Sequence, residues 1–224
     1  MWDNLNAEDI KKENSIAKKL STTNISDALD ALGLASGISG ILPVFDCPKI
    51  FGPVVTLKIT AAGLTPSKSH LGIDAIVSSK KGDIIVIDNG GREDVSCWGE
   101  ILSYGAKSKG VAGVVIDGAF RDIDDIKIVN FPVFARAVVP VTARKRIMGL
   151  ETNKIIQCGG VQVRPGDFIM ADGSGVVIIP SEKLFEVLSK AEELFNKEQA
   201  MIKEIKAGEP IDKVDKKYSY EKMI

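Results

Sequence analysis

The sequence predicts a mixed α/β layered domain, and three observations predict it. Helical apolar spacing occupies the start of the chain and returns near its end. Between these parts, apolar β-rich runs alternate with helical segments. A run of short β segments with tight turns then comes before the last helix. This order does not fit a doubly wound parallel sheet. No linker-like stretch divides it, so the expectation is a single domain over residues 1–224. Its N-terminal helices fall at about 8–33, its core at about 34–180 and its C-terminal helix at about 181–206.

The elements follow from local patterns. Glu8 to Leu20 carries Ile10, Ile16, Ala17 and Leu20 at helical spacing among charges. In "STTNISDALDALG", Ser, Thr and Asn supply caps, Ile25, Ala28, Leu29 and Leu32 share one face, and Gly33 is the stop. "GPVVTLKIT" is β-rich. "SHLGIDAIVSSKKGD" reads as a helix closing at Gly82, and "IIVID" as a short buried strand. "SCWGEILSYGAKSKG" places Ile101, Leu102 and Ala106 on a helix ending in Lys-Gly, and "VAGVVID" is the next strand. "FPVFA", "GVQV", "FIMA" and "GVVIIP" are further β segments, with Pro132 suited to an end or edge. Ser181 caps a long helix with Leu184, Val187, Leu188, Ala191, Leu194 and Phe195 in phase. The lysine-rich tail after Gly208 is expected to fray. "KGDIIVIDNGG" and "PGDFIMADGSG" echo each other, which two strands with the same turn chemistry explain without a true repeat.

Composition removes several function classes. Apolar residues make up 45% and charged residues 26%, enough for a sizeable core. Lys+Arg is 29 against Asp+Glu 30, so no basic excess points to nucleic acid. No apolar run approaches a membrane span, and the polar start does not read as a signal peptide. Cys47, Cys97 and Cys158 are widely spaced and there is one histidine, His70, so a structural zinc site is not expected. An odd cysteine count suits a reducing cytoplasm. The glycines of "GVAGVVIDG" miss the dinucleotide-binding spacing, and there is no P-loop. A serine triad would depend wholly on His70, which is better read as a surface or capping side chain. "REDV" at Arg92–Val95 reads most simply as a solvated loop, with a mobile rim near a site as the alternative.

One combination carries chemistry. The helix in "SCWGEILSYGAKSKG" starts with Asp94 or Ser96 as cap and Gly99 in its first turns. Its first N–H groups have no internal partner and suit a carboxylate or phosphate. The strand "VAGVVID" brings the chain back to the same end of the sheet, where "GAFRD" emerges. Gly99, Glu100, Arg121 and Asp122 are thus expected around one cleft. Arg121 offers a planar fork of donors for a carboxylate or developing oxyanion. Asp122 suits a hard divalent cation, since Mg²⁺ commonly takes only one or two protein carboxylates. Glu100 can orient a water or act as a base. Singly, each residue is better explained by a surface ion pair and a glutamate favouring the helix dipole, and only the combination makes the functional reading competitive.

"WGEILSYGAKSKGVAGVVIDGAFRD", continued by "FPVFAR" and "VRPGDFIMADGSGVVIIP", resembles the signature of the RraA-like family over roughly Ser26 to Pro180. That family includes class II 4-hydroxy-4-methyl-2-oxoglutarate (pyruvate) aldolases and protein regulators of ribonuclease E. The resemblance implies an α/β/β sandwich similar to the swivelling phosphohistidine domain, with flanking N- and C-terminal helices. It also implies a homotrimer or homohexamer with sites between subunits. It implies that Gly99, Glu100, Ile101 and Leu102, largely through backbone amides, and Arg121 bind a pyruvyl group. Asp122 would bind the metal, Mg²⁺ first and Mn²⁺ second. Glu100 stands where aldolase members often have Asp, and "TPSKSHLGIDA" departs from the "GDN" of the regulator branch. The implied function is a metal-dependent lyase cleaving 4-hydroxy-2-oxo acids and decarboxylating oxaloacetate. The competing class is a non-catalytic protein partner of an RNA-processing ribonuclease, and a third is an auxiliary module of a sugar-phosphate enzyme.

Overall fold

The computed structural model describes residues 15–35, 37–65 and 71–219. Along the chain run α1 (Thr22–Ala31), β1 (Leu42–Pro43), β2 (Ile50–Ala61), α2 (Ile73–Ser78), β3 (Ile84–Ser96), α3 (Glu100–Lys109), β4 (Gly113–Phe120) and α4 (Ile123–Val129). They are followed by β5 (Val133–Val138), β6 (Ile147–Thr152), β7 (Ile156–Cys158), β8 (Val161–Val163), β9 (Phe168–Asp172) and β10 (Gly175–Ile179). A 3-10 turn at Ser181–Lys183 leads into α5 (Leu184–Lys206) and α6 (Ile211–Tyr218). Two compact units result, Gly37–Ser181 and the pair of segments Met1–Ser36 and Glu182–Ile224.

The unit Gly37–Ser181 is built on β2, β3, β4 and β5, which pair in parallel in that order. β1 joins β5, and both β6 and β9 join β2, all antiparallel, while β10 pairs with β9. The parallel strands are apolar at successive positions because both faces are covered. Val55, Leu57, Ile85, Ile87, Val114 and Ile116 meet Ala75 and Ile76 of α2, Ala106 of α3, and Ile126 and Val129 of α4. On the other face, Val54, Ile84, Val86, Val115 and Phe134 meet Ile156, Cys158 and Val163 together with Ile169, Ala171, Val176 and Ile178. Helices, sheet and a second β layer thus stack in that order, the expected α/β/β arrangement.

Several local expectations change. The helix in "SHLGIDAIVSSKKGD" spans only Ile73–Ser78. It opens at Gly72 in the left-handed region (φ 83°) and stops at an extended Ser79. Lys80–Gly82 forms a turn instead, because the Asp83 carboxylate accepts the Lys80 N–H at 2.7 Å. Ser69 and His70 lie outside the described residues. The strand read as "IIVID" runs on to Ser96 and absorbs "REDV". The continuation pairs with β4 at Arg92–Gly118 and Ser96–Ala119, which a solvated loop would not do. β1, β6, β7 and α4 had no counterpart in the sequence reading; each is short or carries few consecutive apolar residues.

In the unit of terminal helices, the Asn24 N–H donates to Ser21 Oγ at 3.3 Å, and Asn24 Oδ1 accepts the Ser21 N–H at 3.1 Å. This reciprocal box starts α1, whose Ile25, Ala28 and Leu29 are buried. Residues 15–19 are helical; the part of the Glu8–Leu20 helix before Ser15 lies outside the described residues. α5 buries Leu184, Val187, Leu188, Ala191 and Leu194 as its spacing predicts, but Phe195 is half-buried. Ser181 does not cap it: a 3-10 turn intervenes, and Lys183 precedes the helix without a side-chain cap bond. The tail is ordered as α6 over Ile211–Tyr218, begun at Pro210, with Val214 buried. Lys217 and Tyr218 both donate to Glu204, at 2.6 and 2.8 Å. No helix among the described residues is long and apolar enough to cross a membrane.

Asn24 Nδ2 donates to Glu198 Oε2 at 3.0 Å across α1 and α5. Burial first, and then Asp27, raise the Glu198 pKa above its usual 4.5. Its ionisation therefore opposes folding: stability present below the unfolded value is lost as pH rises through the raised one. Glu198→Gln keeps the acceptor and removes the charge. Its Tm is expected above wild type at pH 7 by a small margin, and the difference should vanish at acid pH in parallel thermal melts.

Candidate active site

The ends of β3 and β4 stay paired beyond the regular ladder. Cys97 N–H donates to the Ala119 carbonyl at 2.9 Å, and Arg121 N–H to the Trp98 carbonyl at 3.1 Å. This keeps Trp98–Gly99 beside Arg121–Asp122. α3 begins directly at this point. Ser103 Oγ donates to the Gly99 carbonyl at 3.0 Å and accepts Trp98 Nε1–H at 2.9 Å, both fixing the first turn. Trp98 in turn stacks on Phe131, with ring centroids 6.3 Å apart.

The cap of α3 differs from the expected one. Gly99 is the N-cap, extended at φ −168° and ψ −168°, and lacks a side chain to cap with. Ser96 Oγ instead donates to the Val141 carbonyl at 2.6 Å, while Asp94 is held by the fork of Arg92. The first helical N–H, that of Glu100, donates to Asp122 Oδ2 at 3.1 Å. The cap is therefore tertiary, supplied from 22 residues away. Gly99 is needed for space and not for its φ. A Cβ there would lie 2.6 Å from Asp122 Oδ2 and 3.4 Å from Arg121 Cγ.

Asp122 is held in the left-handed region, φ 63° and ψ 39°, as the residue opening α4. Its carbonyl accepts the Ile126 N–H at 2.9 Å, which starts that helix and leaves the carboxylate turned to α3. Arg121 Nε approaches Asp122 Oδ2 at 3.5 Å, with side chains 38% and 32% exposed. A pair this open adds about 0–1 kcal/mol. The left-handed backbone at a non-glycine residue costs about 1 kcal/mol or more. The cap that Asp122 gives α3, worth about 0.5–2 kcal/mol, offsets that cost.

Gly99, the Glu100 amide, Arg121 and Asp122 thus meet in one place. Ile101 is 82% exposed and Leu102 packs against the core, and both lie in the first turn, where helical amides lack intrahelical partners. The Glu100 side chain is half-buried beside them. Among the described residues, no three His, Cys, Asp or Glu side chains gather into a metal-binding group. A single oriented carboxylate is the donor set that suits Mg²⁺, which keeps most of its waters. Asp122 fits that role: its Oδ2 is fixed by the Glu100 amide and Arg121, and no hydrogen bond among the described residues engages Oδ1.

Sequence reasoning missed Asp122 as a cap and missed a buried polar row behind the site. Asp88 and Asp117 end β-segments of the same form, Val86-Ile87-Asp88 and Val115-Ile116-Asp117, and that echo was the available signal. All three cysteines are free. Burial pushes the Cys97 thiol up to about 12, and burial with the Asp117 and Asp88 carboxylates pushes Cys158 up as well. Neither is suited to nucleophilic chemistry.

The chain belongs to the RraA-like family, matching its Aldolase/RraA description over residues 22–178. It is 38% identical over 175 residues to a Halalkalibacterium halodurans protein named "Putative 4-hydroxy-4-methyl-2-oxoglutarate aldolase", covering 78% of this chain and 79% of that one. It is 32% identical over 200 residues to Protein DlpA of Legionella pneumophila, covering 89% of this chain but only 32% of DlpA. A solved Pseudomonas syringae protein superimposes with a TM-score of 0.83 at 29% identity, covering 91% of this chain and 96% of the other. Streptomyces coelicolor RraAS2, described as an unusual member of the RNase ES inhibitor RraA family, superimposes at 0.71 with 26% identity, covering 81% and 89%.

Proposed function

We propose that this protein is a divalent-metal-dependent carbon–carbon lyase. It releases pyruvate from 4-hydroxy-2-oxo acids of the 4-hydroxy-4-methyl-2-oxoglutarate type and decarboxylates oxaloacetate through the same enolate. The observation that carries this reading is the Asp122 carboxylate, presented from a left-handed backbone and held by the Glu100 amide beside Arg121. The aldolase names of relatives in the same family support it.

Asp122 would hold a divalent cation, Mg²⁺ or Mn²⁺, which when bound would supply Lewis-acid polarisation for a 2-oxo group. The amides of Ile101 and Leu102 at the start of α3 receive the 2-oxo acid carboxylate. Arg121 binds the same end of the substrate and stabilises negative charge as it develops on the enolate oxygen. In the aldol reaction the C4 hydroxyl loses its proton to a base organised by Glu100, the C3–C4 electron pair moves into the enolate, and the aldehyde or ketone half departs. In decarboxylation the same bond electrons remain on C3 as CO₂ leaves, and no hydroxyl proton has to be removed. Protonation at C3 then gives pyruvate in both cases.

The protein is proposed to act as a homotrimer or homohexamer, with a neighbour completing the cleft. The absence, among the described residues, of a three-ligand group at Asp122 and the exposed Ile101 and Tyr104 on α3 favour a shared site. The second reading, a regulator of an RNA-processing ribonuclease, is favoured by the likeness to RraAS2. Fold likeness alone does not decide between them.

Glu100→Gln separates the steps. It is expected to slow cleavage of 4-hydroxy substrates about 10²–10⁴-fold, the usual worth of a general base, and to spare oxaloacetate decarboxylation. Parallel pyruvate-release assays on both substrates measure this. Equal losses on both would remove Glu100 from the proton transfer.

A further inference from the structure

Four charged side chains form one row across the parallel strands. Lys58 on β2 is the register partner of Asp88 on β3, and Asp88 that of Asp117 on β4. Arg136 stands on β5 between Ala135 and Ala137, the partners of Ile116 and Ala119. Lys58 Nζ reaches Asp88 Oδ2 at 2.5 Å, and Arg136 Nε donates to Asp117 Oδ1. The signs run plus, minus, minus, plus, with Asp88 and Asp117 only 2% and 6% exposed. Backbone amides complete the two carboxylates. Gly90 donates to Asp88 Oδ1 at 3.0 Å, Gln157 to Asp88 Oδ2 at 3.1 Å and Gly159 to Asp117 Oδ2 at 2.8 Å. A Cβ on Gly40 would lie 2.5 Å from Arg136 Nη1, so the loop before β1 is kept clear for the guanidinium.

Stability is a poor explanation for this row. Like charges on neighbouring strands repel, and Lys58 and Arg136 are 37% and 22% exposed, so solvent weakens both ion pairs. Geometry offers a better one. Strand register breaks on both sides of β4 at this level. On β3, three residues separate Asp88 from Arg92, while their β4 partners Asp117 and Gly118 are adjacent. Between Ile116 and Ala119, β4 carries one residue more than β5 does between Ala135 and Ala137. Such a bulge re-aims the chain beyond it, and here that chain carries Arg121 and Asp122.

We infer that the Asp117–Arg136 pair, backed by Asp88–Lys58, fixes the bulge and thereby the direction in which β4 delivers Arg121 and Asp122 to Gly99. Asp117 and Arg136 are then positioning residues for the site, and this rests on the metal-lyase reading above. The test is Mn²⁺ affinity, measured by calorimetry on protein shown to be folded by circular dichroism at the same temperature. Arg136→Met and Asp117→Asn are expected to bind Mn²⁺ about tenfold or more weakly, the usual cost of losing a group that orients a metal ligand. Arg136→Lys, which keeps the charge but not the fork, is expected between them and wild type, and it decides the matter if the other two fail to fold. Wild-type affinity in folded Arg136→Lys and Arg136→Met overturns the inference and leaves the lyase reading standing. A wild-type protein that binds no Mn²⁺ overturns both.

Discussion

Asp122→Asn is expected to fold as wild type does and to lose at least about 10²-fold in pyruvate release. Two features of the position make the outcome specific. Asparagine tolerates the left-handed backbone as aspartate does, so φ 63° remains accessible. Its amide oxygen can still accept the Glu100 N–H that Asp122 Oδ2 accepts at 3.1 Å. Only the charge is lost, and with it the anchor for a hard cation. The change in stability should stay within about 1 kcal/mol, because the partly exposed pair with Arg121 contributes little. Steady-state kinetics with denaturant melts on the same preparation measure both. A variant with unimpaired turnover would remove Asp122 from the metal role.

Gly99→Ala is expected to be nearly as damaging to activity, by a different route. The backbone at Gly99 is extended, which any residue adopts, so no dihedral strain arises. The added methyl would sit 2.6 Å from Asp122 Oδ2, a contact that cannot persist. The carboxylate is the free end of a side chain and can turn away, so the fold survives while the Glu100 amide loses its cap. Loss of a helix cap costs about 0.5–2 kcal/mol. Turnover is expected to fall at least about 10²-fold, since the Asp122 carboxylate is displaced from its place beside the Glu100 amide. A crystal structure of the variant with Asp122 still bonded to Glu100, together with normal kinetics, would refute the account of this glycine.

The parts of the fold legible in the sequence were those whose signal is local. The apolar runs at Ile84–Ile87 and Val114–Ile116 announce strands buried on both faces, and the Leu184–Leu194 spacing announces α5. "GEILSYGAKSKG" and "GAFRD" pointed to one cleft, and the structure brings Gly99, Glu100, Arg121 and Asp122 together. What the sequence hid depends on distant partners. The cap of α3 was sought in Asp94 or Ser96 because caps are usually local, but it comes from Asp122, the residue that opens α4. "REDV" is polar enough for a loop, yet backbone pairing opposite Gly118 and Ala119 makes it strand. The tail after Gly208 has too few apolar residues to suggest a helix; Val214 and the Glu204 contacts supply what propensity does not. Asp88 read as part of a turn, because its partners Lys58 on β2 and Gln157 on β7 are far away in sequence.

Metal dependence of pyruvate release tests the central claim most directly. Wild-type protein is stripped with a chelator and assayed on oxaloacetate and on 4-hydroxy-4-methyl-2-oxoglutarate, before and after Mg²⁺ or Mn²⁺ is restored, with Asp122→Asn alongside. Activity that disappears on chelation, returns with the metal in wild type and does not return in Asp122→Asn is the predicted result. Undiminished turnover after chelation would contradict a metal site at Asp122, and silence on both substrates with Mn²⁺ demonstrably bound would contradict the lyase itself.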